Sequence, residues 1–391
     1  MAQNQDRAEP DLRPLDVVLI GGGLANCCVA LALAKFHPEL RVALVEQSGG
    51  LGGNHTWCFH SADFEARGWS LLQAAVTQMW TEYDVRFPDR ERTVPSAYGV
   101  ITSQRLEGAV KAAWAPLASF EFMFHQSARL VESNRVVLQN GEELHAKWVL
   151  DARGPEQMAL TDGRRLYQKF LGLELRLATP TSRSIPLLMD ATVPQLDGFR
   201  FMYVLPFEPL RILVEDTYFS NTAELDLVAL RKRTLDYVKS LGLEVSDVLR
   251  EEVGVLPMPC QRTAEFSAES PLKLGYAGGW FHPTTGYSLP LAARVAQVFS
   301  QPLSAWRERL QELGSLHARQ FRFAAFLNRL LFQGFKPEQR WNVFSRFYGF
   351  DEAMIARFYA LRMTHSDRFR VLCGRPPRGL SLNPWQTGVS P

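Results

Sequence analysis

The chain has 391 residues, 46% of them hydrophobic and 21% charged, which gives enough apolar material for two connected domains and excludes disorder as its overall state. A net charge of +2, with arginines scattered along the chain, offers no basic stripe for nucleic acid. Five cysteines, Cys27, Cys28, Cys58, Cys260 and Cys373, form neither a CxxC pair nor a pattern with histidines, so no metal site is expected and they read as reduced thiols of a cytoplasmic protein.

Residues 1–14 mix Asp, Glu and Arg, unlike the basic start of a secretory signal, and read as a disordered lead-in. Val17 to Ile20 is a buried parallel strand, Gly21-Gly22-Gly23 a tight turn, Ala25 to Lys35 a helix and Arg41 to Glu46 a second strand. In that setting Gly21 and Gly23 let backbone approach a pyrophosphate, and the helix start at Ala25 and Asn26 faces the phosphates. Glu46, twenty positions beyond Asn26, accepts hydrogen bonds from ribose hydroxyls and repels a 2′-phosphate, which favours FAD or NAD over NADP. Asn26 stands where a third glycine is usual, so its side chain predicts an altered placement of helix on strand. Val17 to Ala34 is apolar enough to imitate a membrane span, but the glycines and Asn26 read better as strand, turn and buried helix.

Gly49 to His60 is Gly-rich and aromatic, with Trp57 and Phe59, a stretch suited to close backbone approach to a cofactor. Strands follow at Trp80 to Arg86 and Ala97 to Ile101, a helix at Gln104 to Ala115, a strand at Glu121 to Phe124, and a hairpin at Arg135 to His145 turning on Asn140-Gly141. Trp148 to Asp151 is an apolar strand ending in Asp-x-x-Gly154. From Tyr167 to Cys260 the chain is strand-rich, with Gln168 to Arg176, Phe199 to Pro206 and Arg211 to Thr217 forming an antiparallel sheet interrupted by a helix from Ala223 to Leu241. Leu274 to Gly279 reads as a further buried strand and Leu291 to Phe299 as a helix; from Trp306 onward the pattern is helical. The fold class is α/β: a discontinuous Rossmann-like domain over residues 15–165 and 261–305, a β-rich substrate domain over 166–260 and a helical C-terminal region over 306–391.

Gly23-Leu-Ala-Asn26, Gly53-Asn54-His55-Thr56-Trp57, Gln168 with Phe170, Met189-Asp190, Val214-Glu215-Asp216-Thr217, the run from Phe281 to Pro290, and Arg346-Phe-Tyr-Gly349 jointly resemble the bacterial lycopene β-cyclases. These are carotenoid-pathway flavoproteins related in fold to aromatic hydroxylases, and the resemblance covers nearly the whole chain. Asn26 is the residue this family usually has; Cys58 stands where a serine is expected. The resemblance implies a Rossmann-like FAD-binding domain of the aromatic-hydroxylase type and a non-redox, acid–base closure of the ψ ends of lycopene, through γ-carotene to β-carotene. It implies reduced FAD as the active form, NAD(P)H as reductant, and lycopene and other linear carotenoids as substrates. Because lycopene partitions into lipid, it also implies a cytoplasmic enzyme held peripherally at a membrane surface. A flavin monooxygenase acting on an apolar substrate would use the same nucleotide turn and sheet, and a non-catalytic carotenoid or flavin carrier is a third reading.

Cyclisation needs an acid, a base and a dry wall. Glu215 ends the apolar stretch Ile212 to Val214, where burial would raise its pKa, and Asp216 alternates to the opposite face, suited to anchoring a loop or a cation. The same pair also reads as solvated turn residues. His282 is placed either for proton exchange with the site or for bonding local backbone in its Pro-containing turn. Trp57, Phe59, Phe281 and Tyr287 are candidate aromatic faces for a carbocation or equally core. Gly286 and Tyr287, just before a helix, are placed to stabilise negative charge on a flavin ring, and Asp151 with Gly154 to meet the cofactor's ribityl or pyrophosphate region. Phe321 to Phe332 reads as an interfacial helix or as core.

Overall fold

The computed structural model describes residues 14–154, 166–261, 267–373 and 377–380; the expected lead-in falls almost wholly outside them. In the first sheet Leu15–Ile20 lies parallel between Val42–Glu46 and the end of Glu143–Asp151, with Phe120–Phe124 added beyond Val42–Glu46. The expected hairpin arm and the expected Trp148 to Asp151 strand are one element: the first half of Glu143–Asp151 pairs antiparallel with Arg135–Leu138 and its second half parallel with Leu15–Ile20. Helix Leu24–Phe36 is buried over nearly its whole length, packed against helices Ser103–Trp114 and Leu289–Val298. Enclosure on all sides explains why its sequence is apolar all round. The expected strand Leu274 to Gly279 is corrected to a turn: only Leu272–Lys273 pairs with Glu143–Asp151, and Gly275 and Gly279, at φ +59° and +73°, bend the chain away.

The second sheet runs, edge to edge, Val245–Pro257, Tyr167–Leu177, Arg211–Ser220, Phe199–Glu208, Leu187–Asp190, Tyr83–Phe87 and Arg90–Val94. Its last two strands come from the first hundred residues, so the sheet draws on chain lying on both sides of the strand at Glu143–Asp151. Helix Leu227–Ser240 covers one face, burying Leu230 and Val238 against Leu171, Leu173, Met202, Val204 and Val214. The helix starts later than the spacing predicts because Asp226 caps it, its carboxylate accepting the Ala229 N–H at 3.0 Å. A small three-stranded sheet, Thr56–His60, Tyr98–Thr102 and Gln78–Trp80, touches the second large sheet through Tyr98 to Tyr203 and Thr56 to Arg250.

The C-terminal region is a long helix, Trp306–Gly334, followed by Trp341–Phe347, Glu352–Tyr359 and His365–Leu372. Phe321, Leu331 and Phe332 are buried, so the stretch expected to be interfacial or core packs largely inward. Among the described residues no helix is long and apolar enough to cross a membrane.

Candidate active site

Between the two large sheets lies a cavity of about 1180 Å³ with walls from both. On its nucleotide side Gly21, Gly22, Gly23, Leu24 and Ala25 present the start of helix Leu24–Phe36. Gly21 has φ +88°, and a Cβ there would meet the Ala152 carbonyl oxygen at 2.9 Å, so only glycine fits. Gly23, at the N-cap, has open space around it, and neither a capping side chain nor a first-turn acid competes for the helix N–H groups. Asn26 is fully buried and donates to the carbonyls of Ile20 and Gly21 at 3.0 and 2.9 Å. The amide therefore ties helix to strand end by hydrogen bonds at the position where a third glycine would allow contact by smallness alone. Glu46 lines the cavity, accepting the Gly22 N–H at 2.6 Å through one oxygen and the Ser48 N–H at 2.8 Å through the other.

Asp151 is not in the cavity wall. Both its oxygens are held by Arg153, at 3.0 and 2.8 Å, and Ala152, Arg153 and Gly154 are the residues that face the space. Across from them Gly286, at φ +70°, and Tyr287 precede helix Leu289–Val298; a Cβ on Gly286 would press within 3.0 Å of Leu256 and 3.1 Å of Gln168 Oε1. Gln168 Oε1 is buried without a hydrogen-bond partner in this wall, a cost of about 1–3 kcal/mol that a bound polar group removes.

The opposite wall is one face of the second sheet. Strand pairing aligns Tyr203, Glu215, Gly172 and Glu252 in a row across four strands, with Phe201, Thr217, Phe170 and Gly254 in the next row, and side-chain alternation points both rows into the cavity. Glu215 accepts a hydrogen bond from the Thr217 hydroxyl. Burial pushes its carboxyl up to about 8, the charges of Glu252 and Asp216 adding to the rise and the Thr217 bond opposing it. Asp216 lies on the other face, fully buried beneath helix Leu227–Ser240; it takes Arg200 in a two-pronged ion pair at 2.7 and 3.0 Å and the Tyr218 hydroxyl at 2.9 Å. Of the two carboxylates, only Glu215 reaches the cavity.

His282 is buried off the cavity. Thr284 N–H donates to its Nδ1 at 3.1 Å, so Nε2 carries the proton and donates to the Phe358 carbonyl at 2.9 Å, while burial lowers its pKa to about 3. It is a neutral anchor of the turn. Trp57 and Tyr287 line the cavity, but Phe59 packs against Phe64 and Trp69, and Phe281 stacks on Tyr276, so these two are core. The residue reading missed a chain of hydroxyls in the wall: Tyr287 to Tyr98 at 2.5 Å, Tyr98 to Tyr203 at 3.0 Å, and Tyr203 donating to Cys58 Sγ at 2.8 Å. It also missed Glu252, which accepts from Arg250 at 3.1 Å and from Thr56 N–H at 3.3 Å and meets His55 Nδ1 at 3.2 Å. Period-two alternation from Glu215 through the neighbouring strands was the signal that would have found Tyr203 and Glu252.

A glycine-turn nucleotide site joined to a sheet-walled apolar cavity defines the fold of the flavin-dependent hydroxylases. The chain is similar in structure to a probable FAD-dependent monooxygenase, PqsL of Pseudomonas aeruginosa, with a TM-score of 0.62 and 18% identity over 86% of this chain and 99% of that one. It is similar also to a flavin-dependent halogenase of Xanthomonas campestris, with a TM-score of 0.60 and 14% identity over 95% and 88% of the two chains.

Within that fold the chain belongs to the lycopene cyclase family, whose model, described as lycopene cyclase protein, matches residues 16–383. It is 39% identical to the lycopene beta-cyclase of Pantoea ananas over 378 residues, 93% of this chain and 95% of that one. The lycopene beta-cyclase of Pseudescherichia vulneris is likewise 39% identical, over 370 residues, 93% and 94% of the two chains.

Proposed function

We propose that the protein is a lycopene β-cyclase that closes the ψ ends of lycopene to β-ionone rings by acid–base chemistry with no net redox change. The observation that carries this reading is Glu215: a carboxyl held protonated at neutral pH, facing a cavity walled by Phe170, Phe201, Tyr203, Phe219 and Trp57. Glu215 delivers a proton to an end-group alkene carbon, and the aromatic faces stabilise the developing cation and exclude water that would trap it. Tyr98, Tyr203 and Tyr287 bond to one another, so their oxygens are engaged, and burial keeps these phenols well above their usual pKa and protonated.

The glycine turn fits FAD: the start of helix Leu24–Phe36 would hold its pyrophosphate, Glu46 its ribose, and Gly154, Gly286 and Tyr287 the portion nearer the ring. In its reduced form bound FAD supplies negative charge opposite a cation, which is an electrostatic contribution and not hydride transfer. NAD(P)H serves as the reductant. Substrate reaches the cavity from lipid: Val371, Leu372 and Leu380 line its C-terminal rim, where Phe369 is 67% and Leu372 49% exposed beside Arg370, the pattern of a peripheral membrane contact.

Purified protein incubated without oxygen with FAD, dithionite and lycopene in liposomes tests the reading. β-Carotene on chromatography is expected. A product that forms only after oxygen is admitted would assign a monooxygenase, and bound but unchanged lycopene a carrier.

A further inference from the structure

Cyclisation moves two protons, one onto an end-group carbon and one off the new ring, and Glu215 accounts for the first. We propose that Glu252 takes up the second, with His55 as its link to solvent; this step rests on the cyclase reading above. Gly172 pairs with Glu215 on one side and with Glu252 on the other, so the two carboxyl groups stand on the same face two strands apart, with a Cα separation of about 10 Å. Gly172 puts no side chain of its own between them. A Cβ built on Gly172 would meet Leu213 Cδ1 at 3.5 Å and Glu215 Oε2 at 3.7 Å, so the Glu215 carboxyl, beside Leu213 of its own strand, reaches over the glycine on the side of Glu252. Both residues line the cavity.

Their surroundings differ as an acid's and a base's should. Glu215 has the hydroxyl of Thr217 on its own strand, Tyr203 on the next and Cys58 from the small sheet, with no cation among the described residues bonded to it. Glu252, with a side chain 6% exposed, is met by Arg250, by the Thr56 N–H and by His55, whose side chain is 54% exposed. The buried carboxylate is thereby joined through one imidazole to water. Arg250 is fixed in turn by Glu174 at 3.0 Å and Thr56 Oγ1 at 2.6 Å.

The balance is complete within the site. The end-group π pair takes the Glu215 proton as a new C–H bond, and the neighbouring double bond supplies the pair for the ring C–C bond. The C–H bond beside the resulting cation then breaks, its electrons becoming the ring double bond and its proton passing to Glu252. His55 exchanges that proton with solvent, and Glu215 regains one from the same pool.

The test uses the FAD-loaded, reduced enzyme with lycopene in liposomes, comparing wild type with Glu252→Gln, Glu252→Ala and Glu174→Gln. Glu174 belongs to the same ion network but is absent from the cavity wall, so Glu174→Gln reports the structural share. Glu252→Gln is expected to retain flavin and to lose at least 100-fold in kcat, Glu174→Gln to stay within fivefold of wild type, and Glu252→Ala to regain turnover on addition of formate. A Glu252→Gln turnover within threefold of wild type would overturn the assignment. So would an equal loss in Glu174→Gln, or a flavin-loaded Glu252→Ala unmoved by formate. Wild type that makes no cyclic product would instead sink the cyclase reading itself, an outcome visible before any variant is compared.

Discussion

Replacing Glu215 with glutamine separates the acid's chemistry from the cost of placing it. The folded carboxyl has its pKa raised from 4.5 to about 8, chiefly by burial, so the folded protein holds a proton that the unfolded chain releases. The stability tied to that proton is fully present below pH 4.5 and is lost as pH rises through 8. Taking about 1.4 kcal/mol per unit, the native state forfeits about 3 kcal/mol by pH 7 and about 5 kcal/mol above pH 9. Glutamine copies the shape of the protonated acid and titrates nowhere in this range, so Glu215→Gln should match wild type within about 1 kcal/mol at pH 5 and exceed it by about 3 kcal/mol at pH 7. For a chain of 391 residues that is a rise of about 4 °C in Tm. Denaturant or thermal unfolding at pH 5, 7 and 9 measures the divergence, and pigment chromatography on the same samples should show cyclisation lost. Parallel stability curves would refute the burial of an acid at Glu215, whatever the activity.

Asp216→Asn strands the buried Arg200 guanidinium and should cost about 3–5 kcal/mol in unfolding experiments, with turnover per folded, flavin-loaded molecule retained. His282 carries a lowered pKa, so its contribution is present above pH 6.5 and is lost as pH falls toward 3; His282→Gln should remove about 2 kcal/mol of acid sensitivity at pH 5 while leaving the pH–rate profile unmoved. Gly21→Ala puts a Cβ 2.9 Å from the Ala152 carbonyl at a left-handed φ, and should lower flavin affinity at least tenfold, read from flavin absorbance retained on gel filtration. Phe369→Glu should weaken co-sedimentation with liposomes several-fold yet leave turnover of detergent-solubilised lycopene intact.

The nucleotide half was legible because its signals are local: a four-residue apolar run, three glycines and a carboxylate at fixed spacing state their geometry without help from distant chain. That Glu215 and Asp216 face opposite sides of their sheet followed equally from alternation along one strand. Position relative to a cavity did not follow. Asp151, His282, Phe59 and Phe281 sit in motifs that border the site, yet Arg153, backbone groups and neighbouring rings claim their side chains. Leu274 to Gly279 looked like a strand because its apolar residues outweighed its three glycines, of which Gly275 and Gly279 in fact turn the chain. Val245–Pro257 escaped notice as a strand for the opposite reason: it lies at the sheet edge, where Asp247, Arg250, Glu251 and Glu252 break the hydrophobic alternation.

On the mechanism proposed above, that edge strand adapts a fold shared with oxygenases to a cation. An oxygenase and a cyclase both want a dry apolar cavity beside a nucleotide site, so neither volume nor aromatic lining distinguishes them. The distinguishing demand is that no oxygen or sulfur in the wall be free to attack the carbocation. Here Tyr203, Tyr98 and Tyr287 bond one another, Cys58 takes the Tyr203 proton in a hydrogen bond with burial holding its thiol up to about 12, and Glu215 is protonated. Two groups remain to be accounted for: Gln168 Oε1, unpartnered beside Gly286 on the nucleotide side, and the carboxyl of Glu252, whose two oxygens meet the N–H donors of Arg250 and Thr56, which on the proposed mechanism leaves it a proton acceptor held back from the closer approach that a covalent ester would need. On that reading the sheet wall around Glu215 is quiet toward carbon and open toward protons, and the free Gln168 oxygen is left to the side where the nucleotide would lie.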